Sequence, residues 1–153
     1  MELSDRTLFL KYALPCGINL VKWGRISQDE LDRGFNMDEK AYKVGLFMCE
    51  LAAKKLGRAS IDRDAIRQYF WFDHDEAVRS HVLVHKDILP DLCIVYPAEY
   101  LGNGLVRLPV GERKVNISFT PNIKKGDYAT VHYDRTCEVI TPAEYNLLLE
   151  RKK

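Results

Sequence analysis

Apolar residues recur at steps of three and four along roughly the first ninety positions and at steps of about two thereafter, a change from helical to strand periodicity. Between residues 37 and 56, Ala41, Val44, Met48, Leu51 and Ala52 fall on one face of a helix that Gly57 ends. Ala65, Ile66, Tyr69 and Phe70 mark a second stripe, and a segment from about Asp75 to Leu89 finishes at Pro90. Ser27 with Glu30 and Asn36 with Glu39 have capping-box spacing, and Ser60 precedes an apolar-periodic run. Residues 1–90 are therefore expected to form a small helical bundle.

After Pro90 the runs are short and β-rich. Cys93-Ile94-Val95-Tyr96 reads as a strand, Gly102-Asn103-Gly104 as a tight turn and 106–108 as its return. Residues 114–120 alternate, with Val115, Ile117 and Phe119 on one face, and Lys124-Lys125-Gly126-Asp127 turns the chain into two more strands at 128–133 and 137–140. Strands this short close naturally into an antiparallel barrel, which removes exposed edges. Thr141-Pro142-Ala143-Glu144 supplies an N-cap, a proline at the first helical position and a glutamate at N3, so a last helix should run to about Arg151. The expected fold is α+β: a helical domain over 1–90, then an OB-like β-barrel with a C-terminal helix over 91–153.

Composition narrows the function. The 153 residues carry 23 Lys and Arg against 22 Asp and Glu, so no cationic surplus exists to release counterions along a nucleic acid. No apolar stretch approaches the roughly 20 residues of a membrane span, and the first residues lack a basic leader. A cytosolic protein is expected. No Gly-Lys-Ser/Thr, third glycine of a dinucleotide fingerprint, Gly-x-Ser-x-Gly or His-Glu-x-x-His occurs, which leaves the commonest nucleotide and hydrolase chemistries without support. The chain reads as a non-enzyme.

Histidines and cysteines remain. Cys16, Cys49, Cys93 and Cys137 are widely separated, with no Cys-x-x-Cys pair. Cys49 sits among apolar helix residues and reads as core, Cys137 as inward-facing in a strand, and Cys16 as lying at a helix stop with nothing beside it to activate the thiol. His81 and His85 lie four apart in a helical stretch just after Asp73-His74-Asp75, so a metal-dependent enzyme using His74, His81 and His85 can be outlined. The same acids serve more simply to complement a helix macrodipole. Phe70-Trp71-Phe72 is the most aromatic segment, and three consecutive rings cannot all point inward from one regular helix, which makes Trp71 a candidate contact for a partner.

Cys93 opens a longer order of features: Cys93-Ile94-Val95-Tyr96-Pro97, then Gly111-Glu112-Arg113-Lys114-Val115, Pro121, Gly126-Asp127-Tyr128-Ala129-Thr130-Val131-His132, and Glu138-Val139-Ile140. Over about residues 92–150 this succession resembles the HypC/HupF family of nickel–iron hydrogenase maturation chaperones. Their β-barrel begins Cys-x-x-x-Pro, passes through Gly-x-Arg-Arg/Lys and Gly-Asp-Tyr-x-x-Val-His, and ends in a short helix. The resemblance implies an accessory protein that holds the iron of an Fe(CN)2CO group and passes it between a HypD-like protein and a hydrogenase large-subunit precursor. The positions implied as metal ligands are Cys93 and His132, and Pro97 and Tyr128 join Trp71 as candidate partner-binding residues. A soft thiolate with an imidazole suits iron, and few protein ligands suit a carrier that must release it. One metal can bridge Cys93 and His132 only if they approach within about 4 to 6 Å.

The chain departs from the family at three places. Its cysteine is internal instead of N-terminal, Pro97-Ala98-Glu99 replaces Pro-Gly-Lys/Arg, and His132-Tyr133-Asp134 replaces His-x-Gly. The alternative function is a metal-free protein- or nucleic-acid-binding module on the OB-like barrel, with Arg113, Lys114, Lys124 and Lys125 forming a small basic patch.

Overall fold

A computed structural model describes residues 1–84 and 90–152, with side chains for 1–80 and 92–152. It contains two compact units, Met1–Asp73 and His74–Lys153, so the second unit begins ahead of the composition change at Pro90.

The first unit is helical: α1 (Arg6–Ala13), α2 (Gly17–Lys22), α3 (Gln28–Asp32), α4 (Lys43–Lys55) and α5 (Arg63–Arg67), the last continuing as a π-turn over Gln68–Asp73. The Ser27–Glu30 capping box forms in both directions. The other two expected starts shift. Asp62, and not Ser60, caps α5 by accepting from the Ala65 N–H at 3.0 Å. The Asn36–Glu39 box gives way to Asp38, which accepts from the Lys40 N–H at 3.0 Å and holds a tight turn, so α4 starts only at Lys43. A short acidic side chain competes here with the helix for backbone donors.

The inward face of α4 also differs from the expected stripe. Val44 and Leu51 are 48% and 43% exposed, and Phe47 is 58% exposed, while Cys49, Ala52 and Ala53 are buried. Small residues let α4 approach the aromatic core closely. A β-carbon on Gly45 would already stand 3.5 Å from the Phe9 ring. That core is built from Phe9, Tyr12, Tyr42, Tyr69, Phe70 and Trp71, with Tyr12 stacked on Phe70 and the Trp71 indole N–H donating to the Tyr12 hydroxyl at 2.7 Å. Three consecutive rings, Tyr69 to Trp71, are buried together because the π-turn widens the helical repeat there.

The second unit contains α6 (His74–Val84), α7 (Pro90–Cys93), a five-stranded antiparallel sheet and α8 (Pro142–Arg151). The strands are β1 (Tyr96–Gly102), β2 (Leu105–Leu108), β3 (Gly111–Lys114), β4 (Tyr128–His132) and β5 (Arg135–Ile140), in the order β3-β2-β1-β4-β5. The expected hairpin turn is present, with Asn103 and Gly104 both left-handed.

Two sequence expectations are corrected. Cys93 closes a helical turn and does not open a strand, because Pro90 begins α7 where its missing N–H costs nothing. Of the expected strand at 114–120 only Lys114 lies in one, at the end of β3; the Asn116 carboxamide oxygen accepts from the Ser118 N–H at 2.8 Å as the chain enters a turn, and only an isolated bridge joins Asn116 to Arg135. With that strand missing, the two edges share one bridge instead of a ladder, and the sheet stays open where a closed barrel was expected.

The terminal helix forms as read, with both hydrogen bonds of the Thr141–Glu144 capping box. It packs on β1 and β4, burying Leu148 completely and stacking Tyr145 on Tyr128 at 4.0 Å. Its end is tied to α6: the Lys152 ammonium lies 2.6 Å from the Asp75 carboxylate, with side chains 2% and 13% exposed. Burial pushes Asp75 up and Lys152 down, against the hydrogen bonds that the Lys152 ammonium donates to the Asp75 carboxylate.

Candidate metal centre

Antiparallel pairing of β1 with β4 sets Tyr96 opposite Val131, so the entry to β1 lies beside the exit from β4. Cys93 precedes that entry and His132 stands at that exit. The Tyr133 N–H donates to the Leu92 carbonyl at 2.9 Å and fastens the two ends together. The third member comes from α6, where His74 and Val78, one turn apart, are both buried.

Ligating atoms of His74, Cys93 and His132 all lie within 4.8 Å of one another, and all three residues are buried. The rings of His74 and His132 meet edge to face at 5.3 Å. His74 Nε2 lies 3.1 Å from the Cys93 carbonyl oxygen. A carbonyl only accepts, so Nε2 carries the hydrogen and the lone pair of the neutral ring lies on Nδ1. Holding one imidazole nitrogen on a carbonyl while the other faces the metal is the usual way proteins orient a histidine ligand. In a four-coordinate site with ordinary metal–nitrogen and metal–sulfur bonds, donors sit about 3.4 to 3.6 Å apart, so a separation of 4.8 Å has to close by about 1.2 to 1.4 Å.

The Cys93 thiol is 6% exposed, and burial pushes its pKa up, partly opposed by the Tyr133 hydroxyl, which donates to the sulfur at 3.4 Å. It is therefore a protonated structural thiol until a cation compensates the thiolate. Tyr133 is itself left-handed at φ 56°, an uncommon conformation for a bulky residue. Its carbonyl accepts from the Arg113 guanidinium at 2.9 Å.

The sequence singled out Cys93 and His132, and these two meet. Pro97 and Trp71 are buried, and Tyr128 is stacked on Tyr145. In this conformation all three make internal contacts. His85 and the side chain of His81 lie outside the described residues. His74, expected to work with them, instead joins Cys93 and His132. Asp75 lies in the first turn of α6, while Asp73 belongs to the π-turn. Nothing in local spacing could pair His74 with Cys93, because the contact spans nineteen residues and a change of element. Of the basic patch, Lys114, Lys124 and Lys125 are exposed, while Arg113 reaches Tyr133.

Comparison of the chain with models of protein families, with curated proteins and with solved structures finds no match in any of the three. Among the described residues, no helix is long and apolar enough to cross a membrane.

Proposed function

We propose that this chain is a HypC-like accessory protein of nickel–iron hydrogenase maturation, a non-enzyme that carries or presents iron through Cys93 and His132. The iron, as an Fe(CN)2CO group, is its cargo, received from a HypD-like protein or delivered to a large-subunit precursor. One observation carries the reading: the cysteine and the histidine that the ordered motifs single out have ligating atoms within 4.8 Å of each other, although thirty-nine positions separate them in the chain. A soft thiolate beside an imidazole is a donor set suited to iron. Their burial shields cargo from water. Release then requires the entry of β1 and the exit of β4 to part, the movement a docking partner would drive.

Anaerobic titration with Fe(II), scored as bound metal per chain, tests the proposal on the wild type beside Cys93→Ala, His132→Ala and Cys49→Ala. Binding near one iron, lost in the first two variants and kept in the third, supports it. Binding indifferent to Cys93 and His132 overturns their assignment as the iron ligands.

A further inference from the structure

We infer that His74 is a third protein ligand of this centre, making it a one-thiolate, two-imidazole site that takes a divalent transition-metal ion and leaves its remaining coordination positions to exogenous small ligands. The inference deepens the proposed function and rests on it for Cys93 and His132. His74 itself lies outside the segment, about residues 92–150, that resembles the HypC family.

Four features of the structure support it. His74 is 8% exposed and lies on the buried face of α6 with Val78, its ring against that of His132. Its hydrogen bond to the Cys93 carbonyl places the lone pair on Nδ1, so Cys93 serves as ligand through sulfur and as orienting acceptor through oxygen. The first turn of α6 is held from the next residue by the buried Asp75–Lys152 pair, which gives the ring a rigid base. Finally, the donors of His74 and His132 converge on the same sulfur, all within 4.8 Å.

The donor set defines the class of ion. Thiolate and imidazole exclude magnesium and calcium, which require oxygen ligands, and suit zinc, iron, cobalt or nickel. On binding, the Cys93 S–H bond breaks, its proton leaves to solvent, and one metal–sulfur and two metal–nitrogen bonds form; no electrons are transferred. A dication and one thiolate leave one unit of positive charge in a buried site. An added small anion in an open position neutralises that charge.

Co(II) added anaerobically to the full chain provides the test, because tetrahedral cobalt–thiolate centres have intense visible bands and a sulfur-to-metal charge-transfer band. The wild type should show both bands at one Co(II) per chain, and added cyanide or azide should perturb them. His74→Gln retains an amide N–H able to reach the Cys93 carbonyl but removes the imidazole. It should lose the tetrahedral bands and weaken Co(II) binding by more than about 100-fold, beyond what orienting residues alone cost. His74→Ala should recover the bands on addition of free imidazole, which a folding defect would not allow. Tetrahedral bands and affinity kept in His74→Gln but abolished in Cys93→Ala and His132→Ala would overturn the role of His74 and leave the two-residue reading standing. Bands indifferent to all three residues would overturn both.

Discussion

The hydroxyl of Tyr133 donates to the sulfur of Cys93 across 3.4 Å, and it does so from a residue in the left-handed region at φ 56°. The adjoining turn is bound on both sides, by the Leu92 carbonyl at the Tyr133 N–H and by the Arg113 guanidinium at the Tyr133 carbonyl. Neighbouring structure thus holds an unfavourable backbone conformation in the place where the thiol is gripped, a pattern that strained residues follow at functional sites.

Removing that hydroxyl should cost stability in a manner that depends on the thiol. Tyr133→Phe is expected to lower unfolding free energy by about 0.5 to 1.5 kcal/mol, the ordinary net worth of a hydrogen bond. In a Cys93→Ala background the same change should cost less, since the partner is already absent. Urea denaturation of the four proteins measures the coupling, and equal costs in both backgrounds would show that the hydroxyl does not act through sulfur.

The Asp75–Lys152 pair should matter more when broken than when replaced. Lys152→Ala leaves a buried carboxylate without its ammonium and is expected to destabilise by about 3 to 5 kcal/mol, whereas the joint change Asp75→Leu with Lys152→Met should recover most of the loss. Thermal denaturation distinguishes the two. If the single and joint variants melt together, the pair is not the tie between α6 and α8.

Leu148 is fully buried where α8 meets the sheet. Leu148→Ala should destabilise by about 2 to 5 kcal/mol through lost burial and a residual cavity. A change below about 1 kcal/mol in chemical denaturation would mean that α8 is not docked as described.

On α4 the two faces should respond unequally. Phe47→Lys, at an exposed position, should change stability by no more than about 0.5 kcal/mol. Ala53→Leu, on the small-residue face, should overpack the core and cost about 1 to 3 kcal/mol. The reverse ranking would restore the stripe of large apolar residues as the inward face.

Glu39 connects stability to acid pH. A backbone hydrogen bond and the Arg6 guanidinium, at 3.0 Å, hold its carboxyl below the usual range. A carboxyl lowered on folding contributes stability in full above its unfolded pKa and loses it as pH falls through the folded one. Glu39→Gln should therefore be less stable than wild type at neutral pH, and the gap should narrow toward pH 3. A gap constant across that interval in urea denaturation would contradict the assignment.

Local chemistry was legible wherever it acts within a few residues. The Ser27–Glu30 and Thr141–Glu144 boxes, the Gly57 stop, the Asn103-Gly104 turn and the change from helix to sheet follow from short-range hydrogen bonding and backbone preference, which the sequence determines by itself. Cys93 and His132 were legible as a pair only through the order of the motifs around them. What the tertiary structure decided is what depends on distant partners. It chose the small face of α4 because the rings of other elements fill the core. It left residues 115–120 outside any strand, where alternation alone suggested one, and so left the sheet open. Above all it brought His74 to Cys93 and His132, a contact that exists because antiparallel register joins the entry of β1 to the exit of β4 and α6 packs over the junction, and no spacing along the chain encodes that closure.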